Sequence, residues 1–111
     1  MSQLVINIQP YAGNGVTTNN GGVYIGYGAG TNYTGHNITA VGLNALSNCQ
    51  TSEQMTAIGD NALYSATTGC SYSVAVGTNA LYAHTGSNGS NTAIGRYANM
   101  LMTTGGSTTS I

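Results

Sequence analysis

The chain repeats itself at short range, and that constrains its fold more than any other property. The segments VYIGYGAG, TAVGLNAL, TAIGDNAL, VAVGTNAL and TAIGRYAN align without gaps within its 111 residues. Their shared glycines are Gly26, Gly42, Gly59, Gly77 and Gly95, separated by 16, 17, 18 and 18 residues. A β-branched aliphatic precedes each one: Ile25, Val41, Ile58, Val76 and Ile94. Alanine lies two residues before four of them (Ala40, Ala57, Ala75, Ala93), with Tyr24 in the first copy. Alanine also follows every glycine by three residues, and Leu46, Leu63 and Leu81 come next in the middle units. A period this short excludes the helical repeat families, whose units run to about 34 residues or more.

The unit is rich in Thr, Val, Ile, Gly and Asn and poor in Glu and Lys, a balance that favours strand and turn over helix. In T-A-V-G, alternation across a strand puts Val or Ile and the residue two before it on one face, Ala and Gly on the other. Asn44, Asn61 and Asn79 then supply a residue type that tolerates the left-handed backbone of a tight corner. Ala-Leu reads as the start of a second short strand with Leu inward. Polar returns such as Thr67-Thr68-Gly69 close the unit. Two strands and two turns make one winding, and windings stacked at about 4.8 Å pair as parallel strands. The expected fold is therefore all-β, a parallel β-solenoid of about five coils.

Composition removes most other classes. Charged residues make up 3 % of the chain, against roughly 25 % in an ordinary soluble domain. One Arg and no Lys leave nothing to neutralise phosphates, so nucleic acid is not an expected partner. No apolar run approaches the roughly 18 residues of a membrane span, and membrane insertion is not expected. The N-terminus shows neither a basic nor an apolar signal region. A hydrophobic fraction of 41 %, recurring in register, argues against disorder.

Hydrophobicity assigns the faces. The column Ile25, Val41, Ile58, Val76, Ile94 is expected to stack through the interior, with Leu46, Leu63 and Leu81 facing it. The other face then carries Ala40, Ala57, Ala75 and Ala93 beside Gly26, Gly42, Gly59, Gly77 and Gly95, a stripe without side-chain bulk. Small residues either fit a tight turn or let another chain approach closely. A slim core of this size calls for a staple or an oligomer, which favours the interchain reading.

The T/V-A-V/I-G-x-N-A-L units with Thr/Gly/Ser/Asn-rich returns resemble the head repeats of trimeric autotransporter adhesins (the YadA-head type). Similar repeats occur in bacteriophage tail fibres. The resemblance covers about residues 23–99. It implies a left-handed parallel β-roll, three chains about a threefold axis, serving as a stiff adhesive or spacing element. The unit here is longer than the family's, and the autotransporter's signal, stalk and anchor are not seen. The longer unit implies longer loops that bulge outward, and the second departure points toward a virion component, or an excised fragment, over a whole bacterial adhesin.

Residues 1–22 carry no repeat. Leu4, Ile6 and Ile8 alternate with polar or smaller residues as a half-buried strand that Pro10 closes, and Asn14-Gly15 and Asn19-Asn20 are turn chemistry. This segment reads as a cap or as an attachment peptide for a neighbouring virion or appendage protein. Residues 100–111 read as a degenerate coil running into a cap or tail.

No constellation supports catalysis, a cofactor or a metal. Cys49 and Cys70 lie at different offsets in adjacent units, so a disulfide between them and a pair of free thiols both stay open. His36 and His84 share no column and read as loop residues. Glu53 and Asp60 are the only acids, with corner hydrogen bonding expected of Asp60. Arg96 takes the same corner in the last unit. Tyr64 and Tyr82 share an offset and should stack on one side of the roll, where an amphipathic ring suits interchain packing or a glycan.

The function expected is non-enzymatic: a homotrimeric structural and adhesive module of a phage tail fibre or virion appendage, presenting loops for attachment to a host-surface glycan or protein. The alternative is a fragment of a bacterial surface adhesin, with an extracellular location. A minor alternative is an ice- or crystal-surface binder, since Thr39, Thr56 and Thr92 recur once per coil. That reading needs the threonines outward, whereas the expected register turns them inward with Val and Ile.

Overall fold

In the computed structural model, three or four residues of each unit form a strand, and the glycine ends it. The structure describes residues 5–8, 11–13, 21–49, 52–66, 70–85, 89–102 and 106–111, and of 5–8 the backbone only. Pro10, Asn14, Gly15, Asn19, Asn20, the return 67–69 and the side chains of Leu4, Ile6 and Ile8 lie outside the described residues.

The strands are β1 (Val5–Ile8), β2 (Gly22–Ile25), β3 (Ile38–Val41), β4 (Thr56–Ile58), β5 (Ser65–Ala66), β6 (Val74–Val76), β7 (Ala83–His84), β8 (Thr92–Ile94), β9 (Leu101–Met102) and β10 (Thr109–Ser110). They build a parallel β-solenoid of about four turns. Its five repeat glycines enclose four complete windings. A seven-stranded sheet runs in the order β1-β2-β3-β4-β6-β8-β10, and a three-stranded sheet in the order β5-β7-β9. Equivalent positions pair with one another, as in Ala40 with Ala57, Ala57 with Ala75 and Val76 with Ile94. The long axis measures 36 Å. That is more than five coils would give at about 4.8 Å each, because β1 and β10 extend the sheet beyond the repeat units.

The faces are inverted relative to the hydrophobic expectation. Ala40, Ala57, Ala75 and Ala93 are fully buried inside the winding, with Tyr24 in the same column. Ile58 and Ile94 are 40 % and 41 % exposed. Ile25, Val41 and Val76 are half-buried on that same outer face. The expected core of Ile25, Val41, Ile58, Val76 and Ile94 is thus the exterior, and the alanines cannot meet another chain. The physical reason is room. A winding of 16 to 18 residues closes around a lumen that the fully buried Leu46, Leu63 and Leu81 already occupy. Only Ala fits opposite them.

The leucines reach the lumen from a turn, not from a second strand. Asn61 and Leu63 have φ of 56° and 51°, and Asn79 and Leu81 have 60° and 49°. Left-handed backbone costs a residue with a Cβ roughly 1–2 kcal/mol. It is held here because the turn amides still bond the next winding: Leu46 N to Ala62 O at 2.9 Å, Leu63 N to Ala80 O at 3.0 Å and Leu81 N to Ala98 O at 3.0 Å. The second strands β5 and β7 begin two residues after Leu63 and Leu81, and β9 two residues after Asn99, the equivalent position of the last unit.

The glycine column belongs to the fold itself. Gly59 has φ of +130°, and a Cβ there would lie 2.7 Å from the carbonyl carbon and oxygen of Gly77. Gly42 stands in the same relation to Gly59, at 2.6 Å. Each glycine amide bonds the previous winding, Gly59 N to Val41 O and Gly77 N to Ile58 O at 2.7 Å. The column is a backbone ladder in which each turn leaves no space for a side chain against the next.

Candidate association face

The strands β2, β3, β4, β6 and β8 each end in a residue triplet of which the first and third members point out of the roll. The first column is Val23, Thr39, Thr56, Val74, Thr92, all half-buried. The second is Ile25, Val41, Ile58, Val76, Ile94. None of these positions is charged, and their β-branched side chains are stiff at χ1. Parallel in-register pairing repeats each column at about 4.8 Å. Monomeric soluble proteins seldom leave a contiguous apolar stripe of this kind uncovered. Burying what remains exposed would release on the order of 1 kcal/mol per aliphatic side chain.

One continuation of this face escaped the sequence reading. Thr109 pairs with Thr92 and Ser110 with Ala93, so that Thr109-Ser110-Ile111 repeats the T-A-I triplet. Ile111 falls 17 residues after Ile94, a spacing that would have revealed it. At the other end Ile6 and Ile8 pair with Val23 and Ile25.

Tyr64 and Tyr82 stack with ring centroids 5.1 Å apart and planes 10° from parallel. Beside Tyr82 lies a depression of about 310 Å³ lined by Asn61, Asn79, Met100 and Leu101. It offers a ring, an apolar wall and two amides to a ligand. Asn79 Oδ1 is buried there without a hydrogen-bond partner.

Four polar side chains are buried among the described residues: Ser52, Ser73, His84 and Asn91. His84, expected in a solvated or hydrogen-bonded loop, is fully buried in β7. Asn91 Oδ1 accepts from the Thr108 amide at 3.1 Å and the Thr108 hydroxyl at 3.0 Å. The Asn91 amide nitrogen is therefore left to donate to His84 Nε2 at 3.0 Å. The imidazole is neutral, with its proton on Nδ1, which is buried without a partner. Burial holds its pKa below the usual histidine value. The Tyr33 hydroxyl donates to the Ser52 carbonyl oxygen, and burial pushes that phenol far up. Asp60 Oδ1 accepts from Leu43 N at 3.3 Å, the corner bond its position called for. The Arg96 guanidinium lies 4.5 Å from the Tyr97 ring centroid and donates to the Tyr97 hydroxyl.

Cys49 and Cys70, free and fully buried, come within 3.3 Å at sulfur. Among the described residues no group of three His, Cys, Asp or Glu side chains is placed to hold a metal ion. Among them, too, no helix is long and apolar enough to cross a membrane. Comparisons with protein-family models, with curated proteins and with solved structures find no match.

Proposed function

We propose that this chain is a structural and adhesive module of a phage tail fibre or related virion appendage. In this reading it is a left-handed β-roll that trimerises and holds its loops rigidly for attachment to a host surface. The observation that carries the reading is the outward column Ile25, Val41, Ile58, Val76, Ile94. Its natural cover is a second copy of the chain. The face is uncharged, so it selects no charged partner, and an identical column repeats at an identical rise. The lumen, filled chiefly with Ala and Leu, buries little large apolar surface per winding, and small cores gain most from association. The likeness of the repeat to trimeric adhesin heads supports three chains and the left hand. Three copies multiply weak surface contacts into avidity. The depression beside Tyr82 is the place where such a module would meet a host-surface sugar.

Sedimentation equilibrium tests the association. The expected species has three times the 11.2 kDa chain mass, and Ile58→Glu with Val76→Glu yields a monomer that keeps its β circular dichroism. A wild-type monomer at micromolar concentration would sink the proposal.

A second reading gains from the inverted faces. Thr39, Thr56 and Thr92 do point outward, beside Val and Ile, as an ice- or crystal-surface binder requires. Val23 and Val74 interrupt the threonine column. A thermal-hysteresis assay separates the readings: growth arrest of ice by the wild type, lost in Thr56→Tyr, would favour the crystal surface over the sister chain.

A further inference from the structure

The two cysteines come from different offsets of adjacent windings, yet their sulfurs are 3.3 Å apart and both side chains are fully buried. Ser52 Oγ lies 3.0 Å from Cys70 Sγ, and the Ala66 carbonyl oxygen 3.5 Å from it. Bond formation requires the sulfurs to close to about 2.05 Å, a movement of little more than an ångström between groups already in contact. We propose that Cys49 and Cys70 are a modification site, forming an intramolecular disulfide that locks two adjacent windings together, with a low-molecular-weight disulfide as the oxidant. This stands independently of the association proposed above.

The chemistry is thiol–disulfide exchange. Cys70 is the attacking sulfur. The hydrogen bond from the Cys49 thiol, and next the Ser52 hydroxyl, hold its pKa below the ordinary thiol value, while Cys49 is held above its own by its bond to Cys70 and by burial. The Cys70 thiolate attacks one sulfur of the small disulfide, forming a mixed disulfide and expelling one thiolate. Cys49 gives up its proton to solvent and attacks Cys70 Sγ, closing the internal bond and expelling the second thiolate. Both leaving groups take up protons from water. Two protein thiols are oxidised and one small disulfide is reduced to two thiols. Because neither sulfur meets solvent in the finished roll, exchange takes place late in folding, once Cys49 and Ser52 flank Cys70 but before the windings close over them. The finished bond is then shielded from reductants.

The test refolds the full chain in parallel, in a glutathione redox buffer and under a phosphine reductant. The oxidised product is expected to lose two hydrogens in intact mass and to show no titratable thiol. It should run as a single chain on a non-reducing denaturing gel. Its melting point should rise by about 10 °C or more, as closure of a loop of this length implies. Cys70→Ala in the same buffer should show no mass loss and no shift. The proposal is overturned if the wild type folds in the redox buffer with both thiols still titratable. Cross-links between chains in place of the internal bond, or an oxidised product that melts no higher than the reduced one, would overturn it equally.

Discussion

Tyr24 lies over Gly30 so closely that a Cβ on the glycine would meet the ring at 2.2 Å. In the next three windings the same two positions are Ala40 with Leu46, Ala57 with Leu63 and Ala75 with Leu81. The first winding has therefore exchanged sizes: the large side chain comes from the sheet and the small one from the turn. Lumen volume is conserved while its source changes sides. The exchange predicts a strong coupling. Tyr24→Ala alone opens a cavity worth about 3–5 kcal/mol, and Gly30→Leu alone collides with the ring and prevents folding. The double variant rebuilds the Ala–Leu pair of the later windings, at a φ of 65° that Leu46 adopts within 10°. It should recover to within about 1.5 kcal/mol of the wild type. Urea denaturation of the four chains measures the cycle.

The glycine ladder sets a second expectation. Gly59→Ala places a methyl 2.7 Å from the Gly77 carbonyl, at a φ of +130° that side chains rarely adopt. The backbone must shift or two windings must part. A loss of at least about 3 kcal/mol follows, from strain and overpacking together. Thermal melting followed by circular dichroism reads it. Gly21→Ala, also at a left-handed φ of +80° but with its nearest atom 3.6 Å away at the Asn37 side chain, should lose only the backbone cost of about 1–2 kcal/mol.

His84 makes stability depend on pH. Burial depresses the pKa of this imidazole below the ordinary histidine value of about 6.5, so the folded state holds it neutral. The unfolded chain then binds the proton first as pH falls. Above pH 6.5 both states are neutral and the group contributes no penalty. Stability should decline as pH drops below that value and level off once the folded-state pKa is passed. A proton on Nε2 would also confront the Asn91 amide, breaking the link to Thr108. Melting points between pH 7.5 and 4.5 should fall in the wild type, and His84→Gln should flatten the profile.

The two faces of one strand give opposed outcomes. Ala57→Leu overfills the lumen and should abolish the folded state or cost about 3 kcal/mol. Ile58→Ser, one residue along and 40 % exposed, should leave the wound chain intact and weaken its association. Light scattering and circular dichroism on both variants distinguish them. With so few charges on the chain, association should change little between 50 mM and 1 M salt.

The repeat in the sequence determined much of this. Period-two alternation in T-A-V-G groups Thr with Val and Ala with Gly, and the recurring spacing sets the in-register pairing of Ala40, Ala57, Ala75 and Ala93. The glycine before each asparagine corner marks where the backbone must turn through a conformation closed to other residues. Which face turns inward was decided by the tertiary structure. Alternation carries no sign, and a hydrophobicity ranking puts Ile58 inside and Ala57 outside. The narrow lumen, already occupied by Leu46, Leu63 and Leu81, admits only the smaller set and turns the larger out. The same holds for the residues that share no column. Cys49 meets Cys70 between adjacent windings, and His84 meets Asn91 across the return of a single winding. Both contacts depend on where a polar return folds back over the lumen, which strand periodicity, a local property of the chain, does not record.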